Sequence, residues 1–204
     1  MTIFPLFYAG NIDYYASLIQ AKNPVFEIHE NYPKQTYRNR CSIYGANGVL
    51  NLIIPVQHLG KRLQMKDVCI SKTENWRVLH WRSLESAYRS SPYFEFYEYD
   101  IKPIYEKKHE YLIEFTGELH QIIMKLLKVN LQQEYTEEYN AVCETDFRNT
   151  FNAKKEINIE GLFQKYTQVF DSKHGFIPNL SIFDLLFNLG PESIRYLNRN
   201  LLKN

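Results

Sequence analysis

The first third of the chain alternates short apolar runs with dense polar blocks, and the remainder changes to helical spacing. TIFPLFY (Thr2 to Tyr8) reads as an extended apolar segment, turned by Gly10-Asn11. Ile12, Tyr15, Leu18 and Ile19 then recur at the spacing of one helix face. Asn23-Pro24 stops that helix, and PVFEI follows as a second strand. This β-α-β opening is the pattern of α/β folds. RCSIY and GVLNLIIPV flank Gly45-Ala46-Asn47-Gly48, so apolar runs around an Asn-Gly turn predict a hairpin. After the basic loop QHLGKRL, MKDVCIS (Met65 to Ser71) predicts one more strand.

Helices follow. Ser71-Lys72-Thr73-Glu74 offers a capping box, with Thr73 or Asn75 as direct caps. The helix beyond it places Trp76, Leu79, His80, Ser83, Leu84, Ala87 and Tyr88 on one stripe, and Ser90-Ser91-Pro92 ends it. The aromatic segment YFEFYEY runs to a break near Pro103. A long amphipathic helix comes next, with Tyr105, His109, Leu112, Ile113, Thr116, Leu119, Ile123, Leu126 and Leu127 inward. Gln132 to Glu160 is polar, weakly periodic and loop-rich, either a lid or padding. In the closing FIPNLSIFDLLFNLGPESIRYL, Gly190 ends one short helix and Pro191 begins the next. The pattern predicts one α/β domain over residues 1–204. A small mixed sheet in the N-terminal third is packed by helices from the C-terminal two-thirds.

Composition narrows the function classes. The 204 residues carry a formal net charge of +1 with no long basic run, which argues against non-specific nucleic-acid binding. Cys41, Cys69 and Cys143 are an odd count without CxxC spacing, as expected of a reduced cytoplasmic compartment. MTIFPLFYAGN lacks the basic region of a secretory signal, and no apolar stretch approaches the roughly 20 residues that cross a bilayer. The 16 Tyr and 13 Phe supply rings that suit a sugar-binding cleft, although many serve only as the rim of a core.

The chemistry concentrates in HENYPKQTYRNR, His29 to Arg40, between two apolar runs. In an extended segment Arg38 and Arg40 share one face and Asn39 takes the other. Two guanidinium forks suit a diphosphate or carboxylate; pairing with Glu27, Glu30 or the acidic helices nearby is the structural alternative. Tyr37, Arg38, Asn39, Arg40 and Glu30 make up the candidate substrate-binding set. His80 sits in an apolar stripe that does not require an imidazole, so it is either a general base or a core group bonded to a backbone carbonyl. Asp184, in SIFDLLF, either orients His80 or completes a capping box with Ser181. Arg82, Glu85 and Arg89 read as structural, Glu85 and Arg89 pairing at i,i+4. Cys41 beside the arginines is a possible nucleophile or simply a buried hydrophobe. His109 and His120 read as buried hydrogen-bonders. His29, Glu30 and His58 match no zinc spacing, so no metal is expected, and no Walker loop or dinucleotide fingerprint is present.

Five separated blocks resemble the WbqC-like protein family. They are FPLFYAGNIDYYASLI, ENYPKQTYRNRCSIYGANG, LIIPV, ENWRVLHWRSLESAYRSSPYFEFY and FIPNLSIFDLLFNLGPESIRYL. The chain departs from the family pattern at Pro5-Leu6-Phe7-Tyr8, where Gln-Pro is common, and at His29-Glu30, where an acidic pair is common. The resemblance implies a bacterial transferase of surface-polysaccharide biosynthesis, glycine transfer in O-antigen synthesis included, acting on a sugar-linked or carrier-linked substrate. On that expectation Arg38 and Arg40 hold the anionic moiety, Asn39 and Tyr37 orient the substrate, and His80 is the base, with no cofactor. The rival expectation is a non-catalytic ligand-binding or assembly module. Adenylate-forming chemistry rests only on the β-α-β opening.

Overall fold

The computed structural model describes residues 1–57, 62–72, 75–141, 143–151 and 163–199. His58 and the Thr73-Glu74 part of the expected capping box fall outside them. The chain forms an α/β structure, with its strands divided between two sheets. In the first, β1 (Thr2–Pro5) lies centrally, α1 (Ile12–Leu18) crosses over, and β2 (Pro24–Glu27) pairs with β1 in parallel. The outer strands are β5 (Glu134–Tyr135) beside β2 and β6 (Thr145–Asp146) beside β1, both parallel, in the order β5-β2-β1-β6.

Both outer strands come from the segment expected to be loop. Each is only two residues long, too short for an alternating pattern to announce it. The second sheet is the predicted hairpin of β3 (Arg40–Gly45) and β4 (Gly48–Ile53), in which Arg40 faces Ile53 and Gly45 faces Gly48. Gly48 closes its turn at φ +100°, a conformation that favours glycine. Met65–Asp67 is a short 3-10 turn rather than a strand, and Val56 and Ile70 form only an isolated bridge.

The helical half comprises α2 (Trp76–Tyr88), α3 (Phe94–Glu106), α4 (Leu112–Leu126), the single turn α5 (Asp171–His174), α6 (Ile182–Leu189) and α7 (Ser193–Arg199). The aromatic segment after Pro92 is helical and runs through Pro103, and the break falls at Lys107, whose ψ of 143° ends α3. Pro103 withholds the N–H that would bond the Tyr99 carbonyl, and α3 ends within one turn of it. The expected long helix is therefore two. Leu79, assigned to the inner stripe of α2, is exposed, while Trp76, His80, Leu84 and Tyr88 are buried. Aromatic edges hold the layers together, with Trp76 to Phe115 at 5.0 Å and Phe94 to Phe187 at 5.0 Å between ring centres. No helix among the described residues is long and apolar enough to cross a membrane.

Candidate functional site

Open parallel sheets present ligands with the crevice beyond the carboxyl ends of their strands. Here that edge gathers Leu6–Gly10 after β1, Glu27 at the end of β2 and Ile28–Glu30 beyond it, Thr136 after β5 and Arg148 after β6. Part of it is filled by the protein's own charges. Arg38 Nε donates to Glu30 Oε1 at 2.7 Å, and Nη2 reaches the carbonyl of Arg148 at 3.1 Å. Arg148 forks onto Asp146 at 2.6 and 2.9 Å and lies 3.5 Å from Glu27, whose Oε1 accepts from Thr136 and from the His29 amide. Arg38, Arg148, Glu27 and Glu30 are all buried. Burial pushes the Glu30 carboxyl above the usual range against the pull of Arg38, whereas the Arg148 fork holds Asp146 below it. Arg38 and Glu30 thus form a structural ion pair, the alternative raised for them above.

Arg40 is different. No carboxylate among the described residues pairs with it, and its buried Nε has no partner there. It acts with Arg38 on the Tyr32 hydroxyl. Tyr37 to Asn39 are turn and bend and β3 begins only at Arg40, so the alternation expected of an extended segment does not apply to the two arginines. Arg40 and the carboxylate of Asp13 also act, with opposite sign, on the hydroxyl of Tyr37. Burial dominates and pushes both phenols up to about 12, leaving them neutral donors. Tyr37 is fixed from behind, since its carbonyl accepts from Tyr8 N at 2.9 Å and its ring leans on Phe7. Asn39 stitches the start of the hairpin, donating to the Ile54 carbonyl at 2.9 Å. Its Oδ1 is buried without a partner among the described residues.

Asp13 went unremarked in the sequence. It lies in the first turn of α1, 5% exposed, close to the carboxyl end of β1. Burial pushes its pKa up to about 6; only neutral groups, first the Asn179 side chain and then the Tyr14 amide at 2.8 Å, offset that rise. The turn before it is strained, with Ala9 at φ +42°. Ser181, which donates to the Ala9 carbonyl at 2.7 Å, helps to hold it. Asn179, also left-handed at φ +55°, accepts from the Asp13 amide at 3.0 Å, and the buried Asn11 Oδ1 alongside has no partner among the described residues. The available signal was positional: an acidic residue two places after the Gly10-Asn11 turn that follows a parallel strand.

The remaining candidates lie deeper. His80 is 6% exposed, stacked on Tyr8 and edged by Trp76. Its Nδ1 faces the Tyr8 hydroxyl at 3.0 Å, and the Ile53 backbone is its other hydrogen-bond partner. The Tyr8 hydroxyl in turn meets that of Tyr105 at 2.8 Å. Burial lowers the imidazole to about 4, so it is neutral near pH 7 with its hydrogen bonds made internally. Asp184 does not orient it. That carboxylate is fully buried and accepts from Tyr88 at 3.0 Å, Tyr166 at 2.6 Å and Gln168 at 2.8 Å. Ser181 caps α6 at Phe183 N, so one half of the expected capping box is present. Burial pushes the Cys41 thiol up to about 12, which removes the thiolate a nucleophile needs. Among the described residues no group of three or more His, Cys, Asp and Glu could hold a metal ion.

The structure is thus an α/β protein with a polar site at the carboxyl edge of a parallel sheet. The chain belongs to the WbqC-like protein family, whose model matches residues 7–160 and 147–196. It is similar to the uncharacterized protein Rv1507c of Mycobacterium tuberculosis, 29% identical over 193 residues, covering 81% of this chain and 83% of that protein. No solved structure matches the chain significantly.

Proposed function

We propose that the chain is a cytoplasmic transferase that moves an acyl or aminoacyl group onto an amino-sugar-linked or carrier-linked acceptor. The observation that carries this reading is Asp13, a buried carboxyl raised to about 6 whose field meets that of Arg40 at the Tyr37 hydroxyl. A carboxylate tuned towards neutrality is suited to general base work. Arg40 supplies an unspent cation for a phosphate or carboxylate on the substrate, with Tyr32 and Tyr37 as neutral donors beside it. The acceptor amine attacks the donor carbonyl and a C–N bond forms as Asp13 takes the amine proton. The leaving group departs with its electron pair and receives that proton.

The same edge without a titrating base would serve a binding module, and Asp13 separates the two readings. Against nucleotide sugars paired with acyl and aminoacyl donors, with product followed by mass spectrometry, Asp13→Asn is expected to lower turnover by about 10²–10⁴-fold and leave acceptor binding intact. Arg40→Met is expected to weaken binding of the anionic ligand by about tenfold to a hundredfold, the worth of a charge-assisted hydrogen bond. Full turnover in Asp13→Asn, or the absence of any product alongside tight binding, overturns the transferase in favour of the module.

A further inference from the structure

In an antiparallel ladder, residues facing each other alternate between pairs that bond each other and pairs whose N–H and C=O groups point away from the partner strand. Across the β3–β4 hairpin the phase of that alternation is fixed. Ile54 N donates to the Asn39 carbonyl at 2.7 Å, so the next pair, Arg40 with Ile53, is of the second kind. So in turn are Ser42 with Asn51 and Tyr44 with Val49. On β3 the outward groups are spent: the Ser42 carbonyl accepts from Ser181 N at 2.8 Å, and Tyr44 N donates to the Tyr88 hydroxyl at 3.0 Å. On β4 they are not. The His80 ring bonds the backbone of Ile53, but no hydrogen bond among the described residues reaches the outward N–H and C=O of Val49 or Asn51.

This edge is bare and uncharged. Val49 is 53% exposed, Leu50 41% and Ile53 45%, Asn51 is exposed as well, and a Cβ at Gly48 would meet open space. Sheets blunt a free edge with a charge, a proline or a bulge, and Gly48–Ile53 has none of them. The hairpin is also held rigid from behind, where the Tyr44 hydroxyl donates to the Gly175 carbonyl at 2.7 Å and Lys173 Nζ to the Ala46 carbonyl at 2.9 Å. A strand fixed in this way loses little freedom on pairing. Its one polar side chain, Asn51, accepts from Ser42 Oγ at 2.7 Å through Oδ1, which leaves Nδ2 to donate elsewhere. An edge without charge fits an uncharged strand, and β4 is itself such a strand. A twofold axis at Asn51 sets Val49 of one copy opposite Ile53 of the other and Asn51 opposite Asn51, with the outward backbone groups in register.

We propose that β4 is a homodimer interface, at which two copies of this chain join edge to edge into one antiparallel sheet of order β3-β4-β4-β3. The outer edge of β3 is already occupied by Ser181 and Tyr88, so the sheet ends there and the assembly closes at two. Three apolar side chains about half exposed, together with the strand edges, give a shared surface on the order of 1,000 Å² over both copies, the low end of specific interfaces. The dimer is therefore reversible. It does not depend on the proposed reaction.

The test is sedimentation velocity of the full chain over a concentration series from about 1 to 500 μM, the range in which so small an interface associates. The mass is expected to rise from one chain towards two and no further, and exchange of the Val49 and Asn51 amide hydrogens should slow as the dimer fills. Asn51→Lys and Asn51→Asp each place like charges opposite each other across the twofold, at an exposed position that leaves the fold intact. Each variant alone should stay monomeric over the series, and an equal mixture of the two should dimerise. A single-chain mass at every concentration, growth beyond two chains, or a dimer that survives both substitutions overturns the proposal. So does a mixture of the two variants that stays monomeric.

Discussion

Two buried titratable side chains pull the acid stability of this protein in opposite directions. Asp13 has a folded pKa of about 6 against an ordinary 3.8, so the folded state holds its proton more tightly than the unfolded one. Stability from this group falls as pH rises from about 4 to 6, a loss on the order of 3 kcal/mol at neutrality. His80 is depressed to about 4 from 6.5, and the unfolded state binds its proton more tightly. Its contribution is fully present above about pH 6.5 and is lost as pH falls towards 4, again on the order of 3 kcal/mol. The two nearly cancel across one window. Thermal melts from pH 4 to 7 should separate them: Asp13→Asn exceeds the parent chain near pH 7 and converges with it near pH 4. His80→Gln retains an acceptor for Tyr8 and a donor for the Ile53 carbonyl, and gains relative to the parent as pH falls, with turnover retained. Identical profiles for all three chains would contradict both placements.

Single elements show what the sequence could and could not disclose. The hairpin was legible because Asn47-Gly48 and its flanking apolar runs are a local signal, and the left-handed Gly48 bears it out. α2 was legible as a helix, but its stripe was drawn one position too wide at Leu79, since solvent covers a face that periodicity alone assigns to the core. The outer strands β5 and β6 were illegible because pairing with β2 and β1, not their own residues, makes them strands. The helix stop at Gly190 has a spatial reason beyond its φ of +53°: a Cβ there would lie 2.4 Å from the Tyr93 ring. Gly190→Ala should therefore lower stability by about 1–3 kcal/mol in chemical denaturation, combining left-handed strain with displacement of Tyr93. Substrate binding at the Asp13 edge should be unaffected.

At the scale of the whole molecule, the sheet edge is held by charges from three distant stretches. Glu27 ends β2 and Glu30 follows it, Arg38 precedes β3, and Asp146 and Arg148 flank the end of β6. The polar block was correctly marked as unusual from sequence. That Arg38 is spent internally while Arg40 has no carboxylate partner among the described residues rests on folded contacts, one of them from Arg38 to the Arg148 carbonyl, more than a hundred residues away. Asp13 was illegible as a candidate for the same reason, since its burial comes from the closing segment around Asn179 and Ser181. Arg148→Ala leaves Glu27 buried with its cation gone and should cost about 3–5 kcal/mol in urea unfolding. A loss below 1 kcal/mol would mean that the network is incidental to stability.

The two outer strands carry a consequence for synthesis. A nascent chain that has emerged only as far as residue 130 possesses β1 and β2 but neither flanking neighbour, and both sides of that pair are open edges. Closure waits for contacts of very large sequence separation, the kind that slows folding most. Until then Phe4 and Phe26, fully covered in the finished molecule, belong to an unfinished sheet at the ribosome. The emerging polypeptide is thus most open to strand-to-strand association during translation of its middle third, and a chaperone that shields those edges would act there.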